Sequence, residues 1–242
     1  MKRPLQATVI IIISPILLLA AITVGVMVQK VDPAQVKPDF EPFNFPDTLA
    51  NKNYDLDSLK NLIGSNKGLA EGFELASALA YSAYPELKDV KVEMVMTLKG
   101  APMESNFNIW SLLWPGRKNR QYRILLNGAK GTFFDPILLR SLPFDAQVGI
   151  LAHELGHVVY YHKLSLFKIG KWGLKYLKDD QFRATHERTT DLMAVYHGLG
   201  SQIYQYAYFV RKDSSCLELY EKEKDFIDKY YMTDTELLEY LD

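Results

Sequence analysis

Leu151-Ala152-His153-Glu154-Leu155-Gly156-His157-Val158-Val159 decides how this 242-residue chain is read. Val148, Ile150, Leu151, Leu155, Val158 and Val159 give the segment the wide apolar face of a core helix. At about 3.6 residues per turn, His153 and His157 fall on one face, one turn apart. Glu154 projects beside that face. Two neutral imidazoles so placed can share a metal ion, and zinc suits nitrogen ligands. A carboxylate next to the ion can take a proton from the water that zinc activates. A lone histidine in such a helix is ordinarily a hydrogen-bonded core residue. Two histidines with a glutamate between them are too costly to bury without a common partner.

Leu142-Pro143-Phe144-Asp145 supplies the helix start, with proline and an acid in its first turn. A catalytic zinc needs a third protein ligand and keeps one position open. In one class of zinc peptidase that ligand is a histidine six residues after the second, with a glycine between them. Here Lys163 and Tyr160 stand at those positions and His162 is one residue early, so that pattern is excluded. A better source is Phe182-Arg183-Ala184-Thr185-His186-Glu187-Arg188-Thr189-Thr190-Asp191, the start of a second helix running to about His197, with Gly198 and Gly200 as stops. Glu187 and Asp191 share a face of it. The longer glutamate can reach an ion held on another helix, and the shorter aspartate suits the outer N–H of a ligating histidine. The alternative is an exposed acidic face paired with Arg183 and Arg188. His186, Asp191 and Asp180 are the other candidate ligands.

His153-Glu154-Leu155-Gly156-His157 followed by Glu187-x-x-x-Asp191 resembles the gluzincins, in particular the CAAX prenyl proteases and the soluble minigluzincins. The resemblance spans roughly residues 90 to 200. It includes Tyr122-Arg123-Ile124-Leu125-Leu126-Asn127-Gly128, a strand ending in an Asn-Gly turn, and the Leu138–Val148 approach to the motif. It implies a zincin-like domain with one Zn²⁺ on His153, His157 and Glu187, Asp191 behind a ligating histidine, and Glu154 as general base. CAAX prenyl proteases are polytopic, whereas this chain has one hydrophobic span.

That span is Ala7 to Val28, free of charge and long enough at about 1.5 Å per residue to cross a bilayer as a helix. Lys2 and Arg3 precede it, which predicts a cytoplasmic N-terminus and an extracytoplasmic domain. The competing reading is a cleaved signal peptide, but the apolar stretch is long and lacks an A-x-A site. Pro33, Pro38, Pro42 and Pro46 follow, as an extended linker or as an arm docking Phe40, Phe43 and Phe45 on the domain. The organisation expected is therefore a cytoplasmic tip and anchor over residues 1–30, a linker over 31–46, and a metallopeptidase domain over 47–242.

Val90 to Leu98 alternates in polarity and reads as a strand that joins the Tyr122 strand in a small antiparallel or mixed sheet. Asn66 to Tyr84 reads as a helix, with Gly64, Gly68 and Gly72 marking close packing or an irregular start. Lys163 to Lys178 mixes apolar residues with five lysines. It reads as a packed helix, an amphipathic cover over the cleft, or a patch for anionic lipid. Net charge is −1, which implies no nucleic acid partner, and the single cysteine, Cys216, excludes an internal disulfide.

The sum is an α+β zincin-like domain, its active-site helix beside a small sheet, behind one transmembrane helix. The expected function is zinc-dependent endopeptidase action on peptide or protein substrates. Tyr160, Tyr161, His186, His197 and Tyr204 remain open as oxyanion donors. The rival readings are a non-catalytic zinc-binding or partner-binding domain tethered to the membrane, and a tethered scaffold without metal. An unliganded Glu154 has no use in a purely structural site.

Overall fold

Alternation in the strand segments and a near-continuous apolar run in the histidine helix produce two packed layers. The structure is a computed structural model that describes residues 45–50, 52–112 and 116–241. The Ala7–Val28 span and most of the 31–46 linker lie outside the described residues. Among those described, no helix is long and apolar enough to cross a membrane.

The sheet comprises β1 (Lys67–Gly68), β2 (Lys91–Thr97), β3 (Met103–Phe107) and β4 (Gln121–Asn127), in the order β1-β2-β4-β3. β1 and β4 flank β2 in parallel, whereas β3 runs antiparallel to β4 from Met103↔Leu126 to Phe107↔Tyr122. Val92, Met94, Tyr122, Ile124 and Leu126 turn inward. The fold is α+β with a mixed sheet, and β3 is an edge strand.

The helices, besides a single turn at Ile109–Leu112, are α1 (Leu56–Ile63), α2 (Glu74–Ser82), α3 (Phe144–Lys163), α4 (Leu166–Lys178), α5 (Asp180–Ala194), α6 (Gly200–Lys212), α7 (Leu217–Tyr230) and α8 (Asp234–Leu238). α3 is central, packed against α2, α5, α6 and β3. Fifteen of its twenty residues are buried, which is why it reads as apolar nearly all round. Burying a side chain such as Leu151 or Leu155 stabilises by about 1.5–3 kcal/mol. Gly149 is required where α6 crosses: a Cβ there would lie 2.2 Å from the Gln202 carbonyl oxygen.

Asp145 gathers the chain entering the domain. Its carboxylate accepts from Leu49 N at 2.6 Å, Thr48 Oγ1 at 2.9 Å and Gln202 Nε2 at 3.3 Å. Phe45 and Leu49 join the core, so residue 45 already packs on the domain.

Two expected helices differ in extent. The 66–84 helix is confined to Glu74–Ser82, because Lys67 and Gly68 pair with β2 instead. Gly68 permits this approach, since a Cβ there would meet Glu93 Cα at 3.2 Å. The second helix ends at Ala194 in a π-helical turn over Val195–Leu199. Gly198, at φ 86°, makes the break, and Gly200 is the first residue of α6 rather than a stop.

Candidate metal centre

α3 and α5 cross at Gly156, where an added Cβ would lie 2.9 Å from Thr190 Cγ2 and 3.4 Å from Met193 Sδ. The missing side chain lets α5 come close enough for Glu187 to reach the histidine face. One carboxylate oxygen, Glu187 Oε2, stands 3.3 Å from His153 Nε2 and 3.3 Å from His157 Nε2. The three donor atoms lie within 4.8 Å of one another, and all three residues are buried.

These separations fit a shared ion. Ligands about 2.0–2.1 Å from a common centre at tetrahedral angles stand about 3.3–3.4 Å apart. A charge-assisted hydrogen bond would draw the pairs to about 2.7–2.9 Å. The two charges also sustain one another. Burial opposes a charge on His153, yet hydrogen bonds and charges from Asp191 and Glu187 hold its pKa well above the ordinary imidazole value. Burial would raise Glu187, but His157 and His153 keep its carboxyl far below the usual range. A buried His153, His157, Glu187 group can hold a metal ion.

The remaining polar atoms fix these three. His153 Nδ1 donates to Asp191 Oδ1 at 2.8 Å, leaving Nε2 free to ligate. Asp191 Oδ2 accepts from Met232 N at 2.8 Å. Tyr176, on α4, donates its hydroxyl to Glu187 Oε1 at 2.5 Å. His157 Nδ1 lies 3.2 Å from His186 Nε2 and 3.4 Å from Thr190 Oγ1. Burial, with His157 beside it, depresses the His186 pKa to about 3, so this ring is neutral. Tyr160, Trp172, Tyr176 and Phe182 surround it. The inner face of α4 therefore packs behind the centre, while Leu166, Phe167 and Leu177 are exposed on its outside.

Glu154 stands apart from the cluster. Its carboxylate Oε2 lies 2.7 Å from Ser105 Oγ on the edge strand β3, and its carbonyl lies 2.8 Å from the same hydroxyl, which donates to one at a time. A cavity of about 330 Å³ opens beside it, with His153, Glu154 and Asp191 in its wall.

The expected residues thus meet: His153, His157 and Glu187 converge, Asp191 backs His153, and Glu154 faces the cavity. The other ligand candidates do not. Asp180 is engaged by Lys229, Tyr230 and Arg183 at the surface, and His186 supports His157 from behind. His162 instead meets Tyr122 Oη at 3.2 Å. Of the oxyanion candidates, Tyr160, Tyr161 and His186 lie in the aromatic cluster behind His157, and His197 pairs with Glu86 at 3.0 Å. None of the five, Tyr204 included, lines the cavity, whereas Tyr206 and Tyr231 do. Burial pushes both of these hydroxyls upward, so they stay protonated as donors. Sequence reading missed both tyrosines together with Ser105 and Tyr176. Tyr206 had one usable signal, three residues after Ile203 on an apolar stripe.

No family model, no curated protein and no solved structure matches the chain.

Proposed function

We propose that this chain is a zinc-dependent endopeptidase with a zincin-like domain of gluzincin type, tethered to a membrane by Ala7–Val28. The observation that carries the reading is the division of labour on α3. His153 and His157 converge with Glu187, while Glu154, between them in sequence, is left facing a cavity. A site built only to stabilise the fold would use all its donors and close itself.

His153 Nε2, His157 Nε2 and Glu187 Oε2 are the ligands. A zinc ion held there supplies an activated water and a polarised substrate carbonyl. Glu154 accepts the water's proton and passes it to the leaving amine, while Ser105 orients its carboxylate. Tyr206 and Tyr231 are the donors available for charge developing on the substrate oxygen. The exposed edge of β3, beside Glu154, suits an extended peptide added as a further strand. Lys2 and Arg3 before the anchor put the domain on the extracytoplasmic side.

The test pairs metal analysis with digestion of a peptide library by the wild type and by Glu154→Gln. The variant keeps size and polarity but cannot accept a proton. Expected are about one zinc per chain in both and a fall in turnover of about 10²–10⁴-fold in the variant. Equal cleavage by the two proteins would remove Glu154 from its role. Absence of bound metal in the wild type would sink the whole reading.

A further inference from the structure

Two helices that wall the cavity each carry one charged residue in an apolar stripe. On α6, Arg211 follows Ile203, Ala207 and Val210 on one face, and on α7 Glu223 stands among Leu219, Phe226 and Ile227. All line the cavity whose opposite wall holds His153 and Glu154. A charge in such a stripe is costly to bury unless its hydrogen bonds are met.

For Arg211 they are met only in part. Its side chain is 4% exposed. Nε donates to Asp228 Oδ1 at 3.0 Å, and Nη1 donates to the Ala207 carbonyl at 3.3 Å. Asp228 is held in turn by the Tyr220 hydroxyl at 2.9 Å, which also stands beside the guanidinium. Nη2 is buried and has no partner among the described residues. Buried donors are rarely left unmet, and those that are ask for an occupant.

The surroundings define that occupant. Asp228 already neutralises the guanidinium, and Glu154, Asp191 and Glu223 line the same cavity, so an added anion would find no net positive charge there. A hydroxyl suits better, because its oxygen accepts from Arg211 Nη2 without adding charge. The rest of the lining is mainly apolar and aromatic, which suits an aromatic ring.

We propose that this cavity is a subsite for a tyrosine side chain of the substrate, its ring between α6 and α7 and its phenol oxygen on Arg211. The identity of the ligand as a peptide residue rests on the endopeptidase reading.

The test is an NMR titration of the full chain in detergent, holding its metal, with N-acetyltyrosinamide. The phenylalanine, O-phosphotyrosine and glutamate analogues are run in parallel. Tyrosine should bind about 10-fold to 100-fold more tightly than phenylalanine, because the phenyl ring leaves Nη2 buried and unmet. Arg211→Met should bring tyrosine down to the level of phenylalanine. Should that variant not fold, the two probes on the wild type still decide. Equal binding of tyrosine and phenylalanine overturns the proposal, as does tighter binding of either anionic probe. If the tyrosine probe binds selectively but no peptide is cleaved, the subsite stands and the endopeptidase reading falls. Cleavage without selective probe binding gives the reverse.

Discussion

His153 and His157 sit one turn apart on α3 and offer the same Nε2 atom, yet the protein supports them in opposite ways. Behind His153 is a carboxylate, Asp191, anchored by a backbone amide. Behind His157 is a neutral imidazole, His186, with Thr190 as a second and longer contact. His186 cannot be charged there, and if it accepts from His157 its own proton rests on Nδ1, which is buried without a partner among the described residues. An anionic acceptor fixes the tautomer and raises the basicity of the ligating nitrogen, whereas a neutral one fixes only the tautomer. The two halves of the centre should therefore contribute unequally to metal affinity.

The largest effect should come from the ligand that both halves share. Glu187→Ala leaves two histidines, and two ligands should not hold the ion: metal content after dialysis should fall from about one per chain to none. A zinc-replete Glu187→Ala protein with a zinc-free Asp191→Ala protein would exchange the roles of the two acids. Next in size is Asp191→Ala, which should weaken zinc binding by about 10–100-fold without emptying the site, measured by competition with a chromophoric chelator. The smallest effect belongs to His186→Phe, which preserves the aromatic packing and leaves Thr190 Oγ1 to accept from His157. Less than about 10-fold in affinity should be lost. A greater loss from His186→Phe than from Asp191→Ala would invert the comparison.

The parts legible in the sequence were those in which one element carries the whole signal. The run around His153 contains the helix, both histidines and Glu154, and Glu187 with Asp191 repeats the one-turn spacing on α5. β2 and β4 announce themselves by alternation. β3 does not: Met103-Glu104-Ser105-Asn106-Phe107 is polar in its middle, and pairing with β4 rather than its own composition makes it a strand. The helix expected over 66–84 lost its first residues because Lys67 and Gly68 pair with β2, an approach the missing side chain of Gly68 permits. Tyr176, Ser105, Tyr231 and Arg211 act from other elements, at distances set only by packing, and no spacing in the chain encodes those. Arg211 did carry a mark, a charge on an apolar stripe eight residues after Ile203. On its own that mark does not distinguish a buried donor from a solvated end.

Met232 belongs to none of the elements that carry the site, yet its backbone proton ends in Asp191, whose other oxygen holds His153. Arg188, next to Glu187 and about one turn before Asp191, also reaches the Tyr231 carbonyl at 3.2 Å. This amide is therefore an internal witness of the centre. With an ion on His153, the ring is fixed and the Asp191 carboxylate keeps its hold on the Met232 proton. When the ion leaves, that grip competes with a histidine free to rotate. The deuterium-exchange clock of this single amide should run slow in the loaded protein and faster in the stripped one, giving a readout of metal occupancy that needs neither substrate nor probe.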